Sequence, residues 1–139
     1  MIRPINVGET IEYVLESDKK DPTTWILGIL DSLVKSRLTD LSMVYRYNPE
    51  APADSVAETR MNIAEQEFEF VKFGLKGFRN FKQANGSEVV FKAEKKTLGN
   101  TTYDVVSDET LKFIPRVAIT ELAKKIAEEN VISEEEEKN

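Results

Sequence analysis

Five of the chain's seven phenylalanines fall between Phe68 and Phe81, so this stretch must lie against a core. Its spacing says what kind of element it forms. The run Phe68-Glu69-Phe70-Val71-Lys72-Phe73 alternates as a strand would, but helical geometry accounts for more of the segment. At about 3.6 residues per turn, Phe70, Phe73, Gly74, Gly77 and Phe81 share one face, with Val71 and Phe78 at its edge. Lys72, Lys76, Arg79 and Gln83 lie opposite. The spacing predicts one long, Phe-rich amphipathic helix from Val56 to Ala84, closed by Asn85-Gly86, a pair that tolerates positive φ. Gly74 and Gly77 each cost about 1 kcal/mol against Ala inside a helix. Their place on the apolar face points to another backbone packed closely there, and a kink or break near Gly74 is the competing reading.

The rest of the chain reads as α+β: two small antiparallel hairpins with three to four helices. Residues 10–16 alternate in strand fashion, and residues 23–30 supply a partner strand beyond the Asp18 to Pro22 turn. Asp31-Ser32 is a helix N-cap, followed by Leu33, Val34, Arg37, Leu38, Leu41, Val44 and Tyr45 at helical spacing. A loop with two prolines covers residues 47–54, and Ser55-Val56-Ala57-Glu58 matches a capping box. Residues 88–94 and 101–106 form the second hairpin around Leu98-Gly99-Asn100. Asp108 caps a helix whose buried stripe is Leu111, Ile114, Ala118, Ile119, Leu122 and Ile126, divided at Pro115. Ser133 to Glu136 matches a second capping box. Residues 1–132 read as a single domain and 133–139 as an acidic C-terminal tail.

A chain of 139 residues can bury about two thirds of the surface its unfolded form exposes, so it can hold a core without disulfides or metal. It has no Cys and no His. That removes thiolate and imidazole zinc sites, Ser-His-Asp and Cys-His nucleophiles, His-ligated haem and thiol redox chemistry. Asp18/Asp21 and Asp104/Asp108 sit at turn or cap positions, where carboxylates are solvated or bond backbone N–H groups and lack the burial that acid–base work needs. No calcium-loop spacing is present, and Gly74 and Gly77 do not form a phosphate-binding loop. The reading is non-enzymatic, with no cofactor and no metal. The longest apolar run, Trp25 to Leu30, is far short of the ~20 residues that span a membrane. Met1 to Pro4 shows no signal-peptide core, so a cytoplasmic setting is expected. The net charge of −6 disfavours nucleic acid as a partner.

Lys72, Lys76, Arg79 and Lys82 are interleaved with Phe73, Phe78 and Phe81, with no acid between Glu69 and Glu88. The plainer reading is a solvated helix face over a Phe core. The functional one is a contact surface for an acidic protein partner. Glu134, Glu135, Glu136 and Glu137 are either a solvated tail or the complementary acidic contact. Trp25, Ile26 and Ile29 make both sides of the second strand apolar, which means a covered sheet or a partner surface.

The order of features resembles a family. A β-hairpin follows a Pro-containing start, and a helix runs into Gly74-Leu75-Lys76-Gly77-Phe78-Arg79-Asn80-Phe81. An Asn85-Gly86 turn then leads to Val89-Val90-Phe91, and a Leu/Ile helix closes with Ser133-Glu134-Glu135-Glu136-Glu137-Lys138-Asn139. This is similar to the small morphogenesis proteins of tailed bacteriophages, including the tail assembly chaperones. The likeness covers the last half of the chain well and the first half loosely. It implies a non-enzymatic protein that self-associates in a ring or spiral and binds tail components in the host cytoplasm. Many tail chaperones are mostly helical, so two hairpins are a departure. That departure leaves open a permanent virion role in the neck, head-tail connector or capsid.

Overall fold

The computed structural model describes residue 2 and residues 8–38 and 55–138, and side chains within these outside 55–63 and 130–138. The elements in chain order are β1 (Thr10–Tyr13), β2 (Thr24–Gly28), α1 (residues 32–38), α2 (Ser55–Gly74), β3 (Leu75–Arg79), β4 (Ala93–Leu98), β5 (Thr101–Val106), α3 (Asp108–Leu111) and α4 (Arg116–Lys138). The fold is α+β. One antiparallel sheet has the order β1-β2-β3 and the other is the β4-β5 hairpin.

The first hairpin forms where its alternation predicts. Ile11 pairs with Leu27 and Tyr13 with Trp25, so these four side chains share the core face. Its turn is held by the Asp18 carboxylate, which accepts from Thr23 N at 2.9 Å. Asp21 adopts φ 53, and Asn80 beyond β3 adopts φ 60. Asn80 Nδ2 donates to Asp21 Oδ1 at 2.9 Å and to Asp21 O at 3.1 Å, so the two left-handed residues secure each other.

Helix α2 stops at Gly74 and the chain continues as strand β3, so the helix predicted to reach Ala84 is broken at its first glycine. The reason lies in spacing. Ile26 pairs with Gly77 and Leu27 with Leu75, so β3 carries one extra residue, Lys76, as a bulge. In a regular strand, Leu75 and Phe78 would face opposite sides. The bulge turns both to the core, where Leu75 is 1% exposed and Phe78 stacks edge-on to Trp25 at 5.8 Å. Phe81 follows after Asn80 and meets the Trp25 ring at 5.1 Å. The predicted helical face of Phe73, Gly77 and Phe81 thus runs on past the helix, with Gly77 on the strand and Phe81 beyond its end. The closeness expected at Gly74 is real but comes from a side chain: a Cβ there would lie 2.7 Å from Ile126 Cδ1 of α4. Gly77 is under no such constraint, since a Cβ there would sit 3.4 Å from Ile26 Cδ1.

Asn85-Gly86 closes no helix; it lies in a short turn-back in which Lys82 and Glu88 form an isolated bridge. The second hairpin begins at Ala93, not Glu88, and turns at Gly99, whose φ of 59 suits a two-residue loop. The cap of α3 is Ser107, whose side chain accepts from Thr110 N, and Asp108 occupies the first turn. Pro115 separates α3 from α4 as predicted, and its carbonyl accepts from Ile119 N at 3.0 Å. Asp31 Oδ1 accepts from Val34 N at 2.9 Å, the expected cap of α1. Backbone helix runs through Ser133 to Lys138, so the acidic stretch continues α4 and starts no new helix. Leu41, Val44, Tyr45 and the loop at 47–54 lie outside the described residues, as do the side chains of the Ser55–Glu58 box.

The core is one cluster. Ile119, Leu122 and Ile126 of α4 are each 0% exposed and pack with Val71 and Phe73 of α2, Val34 and Leu38 of α1, Leu27 and Leu75 of the sheet, and Val105 and Val106 of β5. Full burial of each such side chain is worth about 1.5–3 kcal/mol. Among the described residues, no helix is long and apolar enough to cross a membrane.

Candidate functional site

The four cations of the predicted basic face are dispersed by the break at Gly74. Lys72 ends α2, Lys76 and Arg79 lie on β3, and Lys82 lies in the bridge to Glu88. Lys72 faces inward. Its Nζ stands 3.1 Å from Glu94 Oε1 and 3.1 Å from Asp108 Oδ1, with the side chain 14% exposed. Desolvation pulls its pKa down, but the hydrogen bonds to Asp108 and Glu94 outweigh that and the net shift is upward. This ammonium joins the end of α2 to the starts of β4 and α3, so it is structural.

Arg79 crosses the outer face of the sheet and donates to Glu12 Oε1 at 2.6 Å. Lys76 lays its stem over Gly28, where a Cβ would come within 2.9 Å of its Cε. The residue as a whole is exposed, yet partial desolvation of its ammonium by the sheet lowers its pKa. Lys82 is exposed. Glu134 to Glu137 form part of the last turns of α4, beyond the residues whose side chains are described. Trp25 faces the core and Ile26 lies half-buried on the outer face, beside the Glu12–Arg79 pair.

A different surface is concave. Helix α1, helix α2 and the tip of the β4-β5 hairpin enclose two adjoining hollows of about 610 and 410 Å³ that share Arg37 and Leu98. The larger is lined by Leu33, Arg37 and the turn Thr97 to Thr101. The smaller runs along Glu65, Phe68, Glu69 and Phe73 to Lys96. Leu33 is 59% and Phe68 38% exposed, so the groove presents apolar surface to solvent.

Its charges are arranged unevenly. Lys96 Nζ donates to both Glu69 oxygens, at 3.0 and 3.2 Å, and lies 5.4 Å from the Phe73 ring centroid. Arg116 reaches over the Phe68 ring at 5.2 Å while pairing with Glu67 at 2.8 Å. Arg37 has no ion pair among the described residues. The groove can therefore take an apolar side chain at Leu33, Phe68 and Leu98 and an acidic group at Arg37.

The helical stripe predicted for α1 placed Leu33, Val34, Arg37 and Leu38 together. Val34 and Leu38 are buried and Leu33 and Arg37 are exposed, one pair at i, i+4 beside the other. The sequence offered no separate signal for the groove, because Leu33 and Arg37 share their stripe with the buried Val34 and Leu38. Nothing local says which pair faces in. Among the described residues, no group of three or more Asp or Glu side chains is placed to hold a metal ion. No protein family, characterised protein or solved structure matches the chain.

Proposed function

We propose that the chain is a non-enzymatic assembly protein of the tailed-bacteriophage kind, close in role to a tail assembly chaperone, that binds tail components and itself. The observation that carries this reading is the groove, an open apolar channel with Leu33 and Phe68 exposed and charges of both signs around it. An amphipathic helix laid into such a channel is a common recognition mode, and shielding an apolar segment until it polymerises needs that mode. The role places the protein in the host cytoplasm during assembly, with no membrane and no nucleic acid as partner.

Self-association uses the acidic end of α4. Lys72 and Arg79 are engaged within the fold, whereas Arg37, Lys76 and Lys82 are in no ion pair among the described residues. Glu134 to Glu137 of one copy reach these cations on the next. A contact of this head-to-tail kind is heterologous and generates rings or spirals.

The test is Leu33→Asp combined with Phe68→Ser. The pair of substitutions abolishes co-purification with tail components from infected cells and leaves folding by circular dichroism unchanged. Undiminished co-purification sinks the groove as the binding surface. Mass spectrometry of purified particles separates the two roles: a chaperone is absent from them, and a neck, connector or capsid component is present at fixed copy number.

A further inference from the structure

We propose that Asn85 is a site of spontaneous covalent modification, cyclising onto the Gly86 nitrogen to a succinimide that water opens to aspartyl and isoaspartyl forms. Beyond β3 the chain turns back over residues 84–86. Gln83 N donates to Ser87 O at 2.8 Å, Gly86 N to Gln83 O at 2.9 Å and Val89 N to Phe81 O at 2.8 Å. Gly86 is left-handed at φ 86, and a Cβ built there would meet nothing within 4 Å. Residues 82–88 are all exposed. The nucleophilic nitrogen thus belongs to a residue without a side chain, at a tip that no other element covers.

The electrophile is prepared as well. Asn85 Oδ1 accepts from Ser87 Oγ at 2.6 Å and from Ser87 N at 3.0 Å. Both donors draw electron density from the side-chain carbonyl and stabilise the oxyanion that forms when its carbon is attacked. They also fold the side chain back along the peptide that bears Gly86 N. The one bond that opposes attack, Gly86 N to Gln83 O, closes an exposed turn, and such bonds open locally at small cost. Asn80 makes the contrast: its Nδ2 is tied to Asp21 and Pro22, and the bulky Phe81 follows it.

In the first step the Gly86 nitrogen forms a bond to Asn85 Cγ, the bond from Cγ to the side-chain nitrogen breaks, and the Gly86 amide proton leaves with ammonia. Water then adds to one imide carbonyl. Opening at the side-chain carbonyl restores a normal backbone with an aspartyl side chain. Opening at the main-chain carbonyl routes the backbone through the β-carbon as isoaspartyl. Nothing is oxidised or reduced. Either product adds a negative charge beside Glu88, and the isoaspartyl form lengthens the turn by one methylene.

The experiment incubates the full chain in phosphate buffer at neutral pH, native and in guanidinium chloride, and follows the peptide Gln83–Lys92 by mass with a count of released ammonia. The native chain converts within about tenfold of the unfolded rate, since local opening of the turn costs little. Asn85→Gln abolishes conversion. Ser87→Ala slows native conversion about fivefold relative to its own unfolded rate, the loss expected of one hydrogen bond to a developing oxyanion. An Asn85 that stays intact in the native chain while the unfolded control converts overturns the proposal. A native rate unchanged in Ser87→Ala overturns the activation by Ser87.

Discussion

Helix α2 has two apolar sides that end differently. One is sealed against α4: Val71 is 0% exposed, and Gly74 stands so close to Ile126 that a Cβ has no room. The other meets α1, the β4-β5 hairpin and, at Phe68, the Arg116 side chain of α4 only in part and leaves the groove, with Phe68 38% exposed. The two sides differ in whether a continuous partner runs alongside. α4 buries Ile119, Leu122 and Ile126 in the core with Val71 and Phe73 of α2, whereas the hairpin tip and a short helix leave Phe68 partly open. Sealed apolar surface stabilises the fold, and open apolar surface is available to another chain.

Substitutions at the sealed seam have the largest expected effect. Ile126→Ala should cost about 2–5 kcal/mol by denaturant unfolding, the range for deleting a buried branched side chain. Gly74→Ala should cost about 1–3 kcal/mol by overpacking, even though Ala is the better helix former. In the Ile126→Ala background the same Gly74→Ala change should be nearly neutral, because the atoms it meets are gone. Additive losses would show that the seam is looser than its geometry.

Lys72, at the end of α2, ties the helix to β4 and α3 instead of α4, and its effect should be smaller and depend on pH. Lys72→Met should cost about 0–1 kcal/mol near neutrality, since Glu94 and Asp108 are 44% and 74% exposed and stay hydrated without their partner. The folded pKa of Lys72 is raised, so its contribution is fully present below the ordinary lysine pKa and is lost as pH rises through the folded value. Tyr13 acts in the same direction. Burial and the Glu121 carboxylate that its hydroxyl donates to push its pKa up to about 12, so its protonated form favours folding until alkaline pH removes the proton. Wild-type stability should therefore fall in alkali, and Lys72→Met should flatten part of that fall. Identical alkaline slopes in the two proteins would remove Lys72 from the account.

The smallest effect on stability belongs to the open side. Leu33→Asp should change the unfolding free energy by no more than about 0.5 kcal/mol, because its side chain is already in water. A loss as large as that of Ile126→Ala would mean that Leu33 belongs to the core and that the groove is no free surface. Glu12→Gln should likewise cost only about 0–1 kcal/mol, as an exposed pair to Arg79.

Much of this architecture was legible locally. The alternation of β1, the β-rich composition of β2, the Asp31 cap, a turn around Leu98-Gly99-Asn100 and the stripe Ile119-Leu122-Ile126 each follow from a local conformational preference or from one period. The segment from Leu75 to Phe81 was not. The Phe73-Gly77-Phe81 spacing reads as helical past Gly74, but the bulge at Lys76 brings Phe78 to the core on a strand and Phe81 follows after the left-handed Asn80. The candidate site was not legible: Leu33 and Arg37 read only as members of one α1 stripe with the buried Val34 and Leu38, and Lys72, placed by spacing on a solvent face, has a mostly covered side chain paired with Glu94 and Asp108.

Composition and periodicity settled the α+β class, the order of most elements and the exclusion of thiol and imidazole chemistry. These depend on which atoms are present and on the backbone's own repeat. The end of α2 at Gly74, the pairing of Lys72 with Glu94 and Asp108, and the opening between α1, α2 and the hairpin were decided by contacts between residues far apart in the chain. A glycine tolerates a break as readily as a close approach, and a lysine suits water as well as two carboxylates. In each case the choice rested on what the rest of the fold brought alongside.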